Sequence, residues 1–169
     1  NGKTTTARMM TGVLRKCGHM VVDNPAGANM DSGLATALLT GPGASRKAVT
    51  GGADLFAVLE VDEAAFAATA SDLAPEVCIV TNIFRDQLDR YGERDAMRAL
   101  IASGLAAAVR ARHASGDCTL VFCADDPLCE SLGDPYREAP HVRLLRTGMD
   151  RADMRPGGDD GGLPGETAH

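Results

Sequence analysis

Residues 54–61 read Asp54-Leu55-Phe56-Ala57-Val58-Leu59-Glu60-Val61, an almost unbroken apolar run that ends among acids. A short run without polar alternation predicts a strand covered on both faces, as in a parallel sheet. Working outward, Glu76–Thr81 and Cys118–Cys123 repeat the pattern, and His19–Val22 and His141–Leu145 predict shorter strands. Helical patterns fill the intervals: Lys3 to about Cys17, Gly33–Leu39, residues 63–70, Asp95 to about Arg112, and Pro127–Leu132. In the first of these, Met9, Met10, Val13 and Leu14 fall on one face, and Gly18 suits a helix stop. Strands alternating with helices predict an α/β fold, a doubly wound, mostly parallel sheet with helices on both faces.

Such sheets gather ligands at the carboxyl ends of their strands. The chemically richest residues sit there: Glu60 to Glu63, Thr81 to Asp89, and Ala124 to Asp126. Glu60 and Asp62 would share one face of an extended strand end, with Val61 turned away. Residues 81–93 form a polar cluster whose groups either bind a nucleotide or brace their own loop, with Asp86 and Asp89 as turn caps. Ala124-Asp125-Asp126-Pro127 ends a strand and enters a helix, where helix capping is favoured over contact with a ribose hydroxyl. Residues 24–33, with Asn24, Asn29 and two glycines, suit a tight turn better than a second anion or amide site.

The chain opens on Asn1-Gly2-Lys3-Thr4-Thr5-Thr6, the second half of a phosphate-binding loop. The whole pattern, G-x-x-x-x-G-K-[ST], needs a glycine five positions before Gly2. The sheet is therefore expected to be of the P-loop type, with its first strand outside these residues. At a helix start, glycine admits close approach, unpaired N–H groups point at the anion, and the helix dipole favours negative charge. Lys3 would reach the β- and γ-phosphates of a nucleotide. The Thr4 hydroxyl and the Glu60 carboxylate would hold Mg²⁺, which takes few protein carboxylates and keeps several waters.

Composition narrows the field. A net charge of −6 with no basic stripe argues against nucleic-acid binding, and tryptophan is absent. The five cysteines, at 17, 78, 118, 123 and 129, include no C-x-x-C pair, which disfavours a zinc knuckle within the chain. Cys78, Cys118 and Cys123 stand in or beside apolar runs and behave as small hydrophobes, which fits a reducing, cytoplasmic setting. No apolar run approaches the ~18 residues of a membrane span. The scattered histidines, at 19, 113, 141 and 169, offer no nucleophile–base–acid arrangement. From residue 155 to 165, five glycines and two prolines mark a linker or loop.

Taken together, Asn1–Thr6, Leu59-Glu60-Val61, Thr81-Asn82-Ile83, Arg85-Asp86-Gln87-Leu88-Asp89 and Ala124-Asp125-Asp126 resemble the central domain of the Mur ligases, ATP-dependent amide-bond ligases of peptidoglycan synthesis. The resemblance covers residues 1–148, with 149–169 as the linker. Three stretches, Asn24–Met30, Glu60–Glu63 and Asn82–Glu93, resemble most the MurT branch, the ligase subunits of lipid II isoglutaminyl synthases. Ordinary Mur ligases usually carry His at the positions of Gln87 and Tyr91, and a carbamylated lysine downstream; residues 94–112 contain no lysine.

The resemblance implies ATP and Mg²⁺ as cofactors, with Lys3 and Glu60 as catalytic residues. Asn1, Gly2, Lys3, Thr4, Thr5, Asn82 and Asp86 would form the nucleotide site, and Thr4 and Glu60 the metal site. It implies lipid II at the membrane surface as substrate and a separate GatD-type glutaminase subunit as partner. A four-cysteine zinc ribbon and a C-terminal domain would follow residue 169, so zinc is expected only there. The isolated 169 residues are accordingly expected to bind Mg-ATP poorly and to catalyse nothing. The competing readings are a folylpolyglutamate synthase-like ligase and a catalytically inactive fragment.

Overall fold

The computed structural model describes residues 2–25, 27–41, 54–83 and 91–149, with side chains at 91–93 excepted. The elements alternate as the sequence predicts: α1 (Lys3–Lys16), β1 (Met20–Asp23), α2 (Asp31–Thr40), β2 (Leu55–Val58), α3 (Glu63–Leu73), β3 (Val77–Val80), α4 (Tyr91–His113), β4 (Cys118–Cys123), α5 (Pro127–Ser131) and β5 (Val142–Thr147). Every described ladder is parallel. Parallel strands need a crossover, and here each crossover carries a helix. The fold is α/β, as expected.

The strands fall into two sheets, β1–β2 and β3–β4–β5, with no described ladder joining β2 to β3. The main core lies with the three-stranded sheet. In β4, Cys118, Leu120 and Phe122 are buried while Thr119, Val121 and Cys123 are half-buried. The buried set packs with Ile101, Leu105 and Ala108 of α4 and with Cys129 and Leu132 near α5. Ile101, Gly104, Leu105 and Ala108 recur at helical spacing, so one stripe of α4 faces the core.

Helix ends follow local chemistry. Asp62 caps α3 by accepting from Ala64 N–H at 3.0 Å. Asp126 caps α5 by accepting from Leu128 and Cys129 N–H at 3.0 and 3.3 Å, with Pro127 at the first helical position. The expected capping role of Asp126 is thus seen. Beyond α1, Gly18 takes the left-handed conformation, φ +88°, that suits a helix stop.

Two expectations are corrected. The run at 54–61 gives only a four-residue strand, and β2 is not covered on both faces: Leu55 and Phe56 are 39% and 36% exposed. Its hydrophobicity matches a buried strand, but α1 and α2 pack mainly on β1, and among the described residues β1 is its sole strand neighbour. The apolar stripe of α1 turns inward only in part: Met10 and Leu14 are half-buried. Met9 and Val13 are 68% and 63% exposed, whereas Thr11 is buried. The helix is rotated so that Thr4 and Thr11 turn inward, and the Thr4 hydroxyl is tied to the β2–α3 loop.

The closest helix packing is between α3 and α4, at Gly104. A β-carbon there would lie 2.6 Å from Phe66 Cε1 and closer still to Cδ1. Inside a helix, Gly→Ala normally stabilises by about 1 kcal/mol. Here overpacking, of order 1–3 kcal/mol, opposes that gain. Gly104→Ala is expected to lower the urea midpoint; a raised midpoint would contradict the packing described.

The cysteines behave as small hydrophobes in part. Cys78, Cys118 and Cys129 are buried, Cys123 is half-buried and Cys17 is exposed, and all five are free thiols. Its hydrogen bond to Cys118, together with burial, pushes the Cys78 thiol far above the ordinary range, and burial raises Cys129 to about 11.

Candidate functional site

The site is assembled where α1 begins. Gly2 stands at the N-cap with φ +90°, a left-handed conformation that strains any side chain although the space around it is open. Its carbonyl accepts the first helical bond from Thr6 N–H at 2.9 Å. Among the described residues no side chain caps this helix, and its first turn holds no acid, whereas α2, α3 and α5 each carry one there. The positive end of the α1 dipole therefore has no carboxylate of its own helix beside it.

Two acids meet this helix start instead, Glu60 from the β2–α3 connection and Glu63 from the first position of α3. The Thr4 hydroxyl donates to Glu60 Oε1 at 3.0 Å. Lys3 Nζ donates to Glu63 Oε1 at 2.8 Å, an ion pair whose side chains are 34% and 28% exposed. Thr4 and Glu60, both expected at a metal, are brought together. Lys3 lies beside them, paired with an acid that sequence reasoning did not assign. Asp62 does not share a strand face with Glu60: β2 has ended at Val58, and the Asp62 carboxylate is the cap of α3.

Burial raises the Glu63 carboxyl pKa, but the Lys3 hydrogen bond, its own backbone N–H and the Lys3 charge outweigh burial, and the net shift is downward from 4.5. A depressed carboxyl pKa means the pair contributes fully above the ordinary value and is lost as pH falls through the folded value. The Lys3–Glu63 pair is therefore formed at neutral pH. An NMR titration of the Glu63 carboxyl should give a midpoint below 4.5, and Lys3→Ala should raise it. An unchanged midpoint in the variant would remove Lys3 as a cause.

Behind these residues lies a cavity of about 270 Å³ lined by Thr4, Arg8, Thr11, Asn24, Val58 and Glu60, among others. The Thr11 hydroxyl is buried and makes no hydrogen bond among the described residues. Asn24 Nδ2 donates to the carbonyls of Ala28 and Glu60 at 2.8 and 2.7 Å, and its Oδ1 accepts from Glu60 N–H at 2.8 Å. Asp62 N–H donates to the Asn29 carbonyl at 2.9 Å. Asn24 and Asn29 thus brace the 60–62 loop, a role the sequence did not disclose. The available signal was an Asn directly after a strand and before Pro25, in a stretch where side-chain-to-backbone bonds are common.

On the other side, Thr81, Asn82 and Ile83 follow β3. Asn82 is half-buried, and Ile83 N–H donates to Asp126 Oδ2 at 2.6 Å. Asp126 thereby joins α5 to the end of β3, while Asp125 accepts from Met149 N–H at 2.9 Å. Thr5 is exposed on α1. Asn1, Asp86 and the whole 84–90 stretch lie outside the described residues, as does the 150–169 linker.

One hydroxyl and one carboxylate oxygen converge at Thr4 and Glu60. Among the described residues no cluster of three or more His, Cys, Asp or Glu could hold a metal ion. That sparse donor set fits Mg²⁺, which is completed by water and phosphate oxygens, and does not fit structural zinc. No described helix is long and apolar enough to cross a membrane.

The fold and site together define a parallel α/β domain with a lysine, a hydroxyl and two carboxylates gathered at an open helix N-terminus. The Mur ligase middle domain matches residues 1–155. The chain belongs to the Mur ligase family. It is 43% identical over 93 residues to the MurT subunit of the lipid II isoglutaminyl synthase of Streptococcus pneumoniae, covering 55% of this chain and 20% of that protein. To the MurT subunit of Staphylococcus aureus strain COL it is 31% identical over 132 residues, 78% of this chain and 26% of that one. To the UDP-N-acetylmuramate–L-alanine ligase of Mycobacterium avium it is 33% identical over 159 residues, 94% of this chain and 28% of that one. The chain thus spans between a fifth and under a third of the curated relatives it matches.

Proposed function

We propose that these residues form the nucleotide-binding part of an ATP-dependent amide ligase of peptidoglycan synthesis, of the kind that amidates lipid II. The observation that carries this is the convergence of Lys3, Thr4 and Glu60 at the Gly2-capped helix start. The MurT likeness supports the choice of reaction.

In the reaction, the D-glutamate α-carboxylate of the stem peptide attacks the γ-phosphorus of ATP. The bond from that phosphorus to the β–γ bridging oxygen breaks, leaving ADP and an acyl phosphate. Ammonia, delivered by a glutaminase subunit, then attacks the acyl carbon, phosphate departs, and D-isoglutamine remains. Phosphoryl transfer is mostly positioning and charge stabilisation. The open N-terminus of α1 and Lys3 supply positive character to the phosphates. For that, Lys3 exchanges Glu63 for a phosphate oxygen, so the Lys3–Glu63 pair belongs to the nucleotide-free state. Thr4 and Glu60 would hold Mg²⁺, which neutralises charge on the transferring group. Asn82 and Asp86 are assigned to the nucleotide site from the family resemblance. ATP as co-substrate fits a cytoplasmic enzyme working on lipid II at the membrane face.

A second reading is addition of an amino acid rather than ammonia, favoured by the longer match to the alanine ligases. One experiment separates them. The full-length protein, with a glutaminase partner, is given Mg-ATP and lipid II or UDP-N-acetylmuramate, with glutamine or L-alanine. Conversion of a lipid II carboxyl to a carboxamide, seen by mass spectrometry and dependent on glutamine, supports the amidation. Alanine addition to the nucleotide sugar replaces it by the second reading.

A further inference from the structure

Asn24 stands one residue beyond Asp23, where the β1–β2 ladder ends with Asp23 opposite Val58. Its side chain supplies the next rung. A primary amide carries a carbonyl beside an N–H, the same pair that a peptide offers in a ladder. Asn24 uses both on a single residue: Nδ2 donates to the Glu60 carbonyl at 2.7 Å and Oδ1 accepts from Glu60 N–H at 2.8 Å. The second Nδ2 proton goes to the Ala28 carbonyl at 2.8 Å. Both amide protons are therefore committed to backbone. The carboxylate of the residue so held faces the Thr4 hydroxyl at 3.0 Å.

We infer that Asn24 is a positioning residue: by clamping the Glu60 peptide it fixes the carboxylate opposite Thr4 and so sets the affinity for the divalent cation that accompanies the nucleotide. This rests on the ATP-dependent reading proposed above. Among the described residues no other side chain hydrogen-bonds the Glu60 peptide, and a wandering carboxylate loses cation affinity before it loses contact with the rest of the nucleotide. Groups that orient a ligating side chain are typically worth 10–100-fold in metal affinity. The competing role, direct contact of the Asn24 amide with an acceptor substrate, requires protons that the backbone already holds.

The test uses the full-length protein and reads Mg²⁺-dependent binding of a fluorescent ATP analogue, which does not require amidation to occur. Asn24→Ala removes the clamp. Asn24→Asp keeps the shape but sets a carboxylate against the two carbonyls, and it carries the measurement should the alanine variant fail to fold. The half-saturating Mg²⁺ concentration is expected to rise by about 10–100-fold in both, with nucleotide affinity restored at high Mg²⁺. In Asn24→Ala/Glu60→Gln the loss should be no greater than in Glu60→Gln alone, because both act through one carboxylate. Unchanged Mg²⁺ dependence in the folded variants, or additive losses in the double variant, overturns the inference. If the parent binds Mg-ATP but amidates nothing, the proposed reaction fails while the role of Asn24 is still decided by the binding data.

Discussion

Lys3→Ala is expected to lower turnover of the full-length protein by on the order of 10²–10³-fold, the usual effect of removing one charge-stabilising donor from a transferring group. Lys3 is the first residue of α1, beside the open helix N-terminus, and its ammonium lies 2.8 Å from Glu63 Oε1. In the proposed nucleotide complex phosphate would replace Glu63, and the ammonium would meet a charge that grows as the γ-phosphoryl group transfers. The loss should therefore fall on kcat more than on nucleotide affinity. Stability should change by no more than ~1 kcal/mol, because a partly exposed ion pair contributes little. Glu63→Gln has the opposite character: it frees Lys3 from its partner and is expected to tighten nucleotide binding without loss of turnover. Single-turnover phosphoryl transfer and equilibrium nucleotide binding read the two effects separately. A Lys3→Ala enzyme within about threefold of the parent would remove Lys3 from the catalytic machinery.

The largest stability effect is expected at Leu120. Its side chain is fully buried in the central strand of the three-stranded sheet, opposite Cys78 of β3 and Leu144 of β5. Leu→Ala at such a site removes transfer free energy and leaves a cavity, together about 3–5 kcal/mol. For a domain of this size that corresponds to a fall of roughly 10 °C or more in Tm. Val121→Ala, one residue on, tests the facing of the strand, since Val121 points to the other, half-buried face. It is expected to cost about 1 kcal/mol. Urea unfolding should show the midpoint shifts with unchanged slope. Equal effects at the two positions would contradict the alternation along β4.

The order of strands and helices was readable because each element carries its own signal. Cys118–Cys123 forms the strand expected, and the acids before Pro127 mark a helix start that Asp126 caps. The placement of Gly2-Lys3-Thr4 at a helix start and of Glu60 after a strand was readable for a related reason: each has a local signature. Burial was less readable. The 54–61 run is as apolar as a buried strand, yet Leu55 and Phe56 stay partly exposed because exposure depends on neighbours supplied by distant sequence. The α1 stripe was readable only in part: Met10 and Leu14 are half-buried, but Met9 and Val13 stay exposed while Thr11 is buried.

By itself, the sequence determined the alternating α/β order and the placement of Lys3, Thr4 and Glu60 at element ends, because periodicity, caps and strand ends are local properties. Only the tertiary structure decided that Glu63 holds Lys3, that Asp62 serves α3, and that Asn24 holds Glu60. Lys3 and Glu63 are 60 residues apart and Asn24 and Glu60 are 36 apart. Contacts at that separation depend on how helix rotation and ladder register bring segments together, and no local pattern records the result.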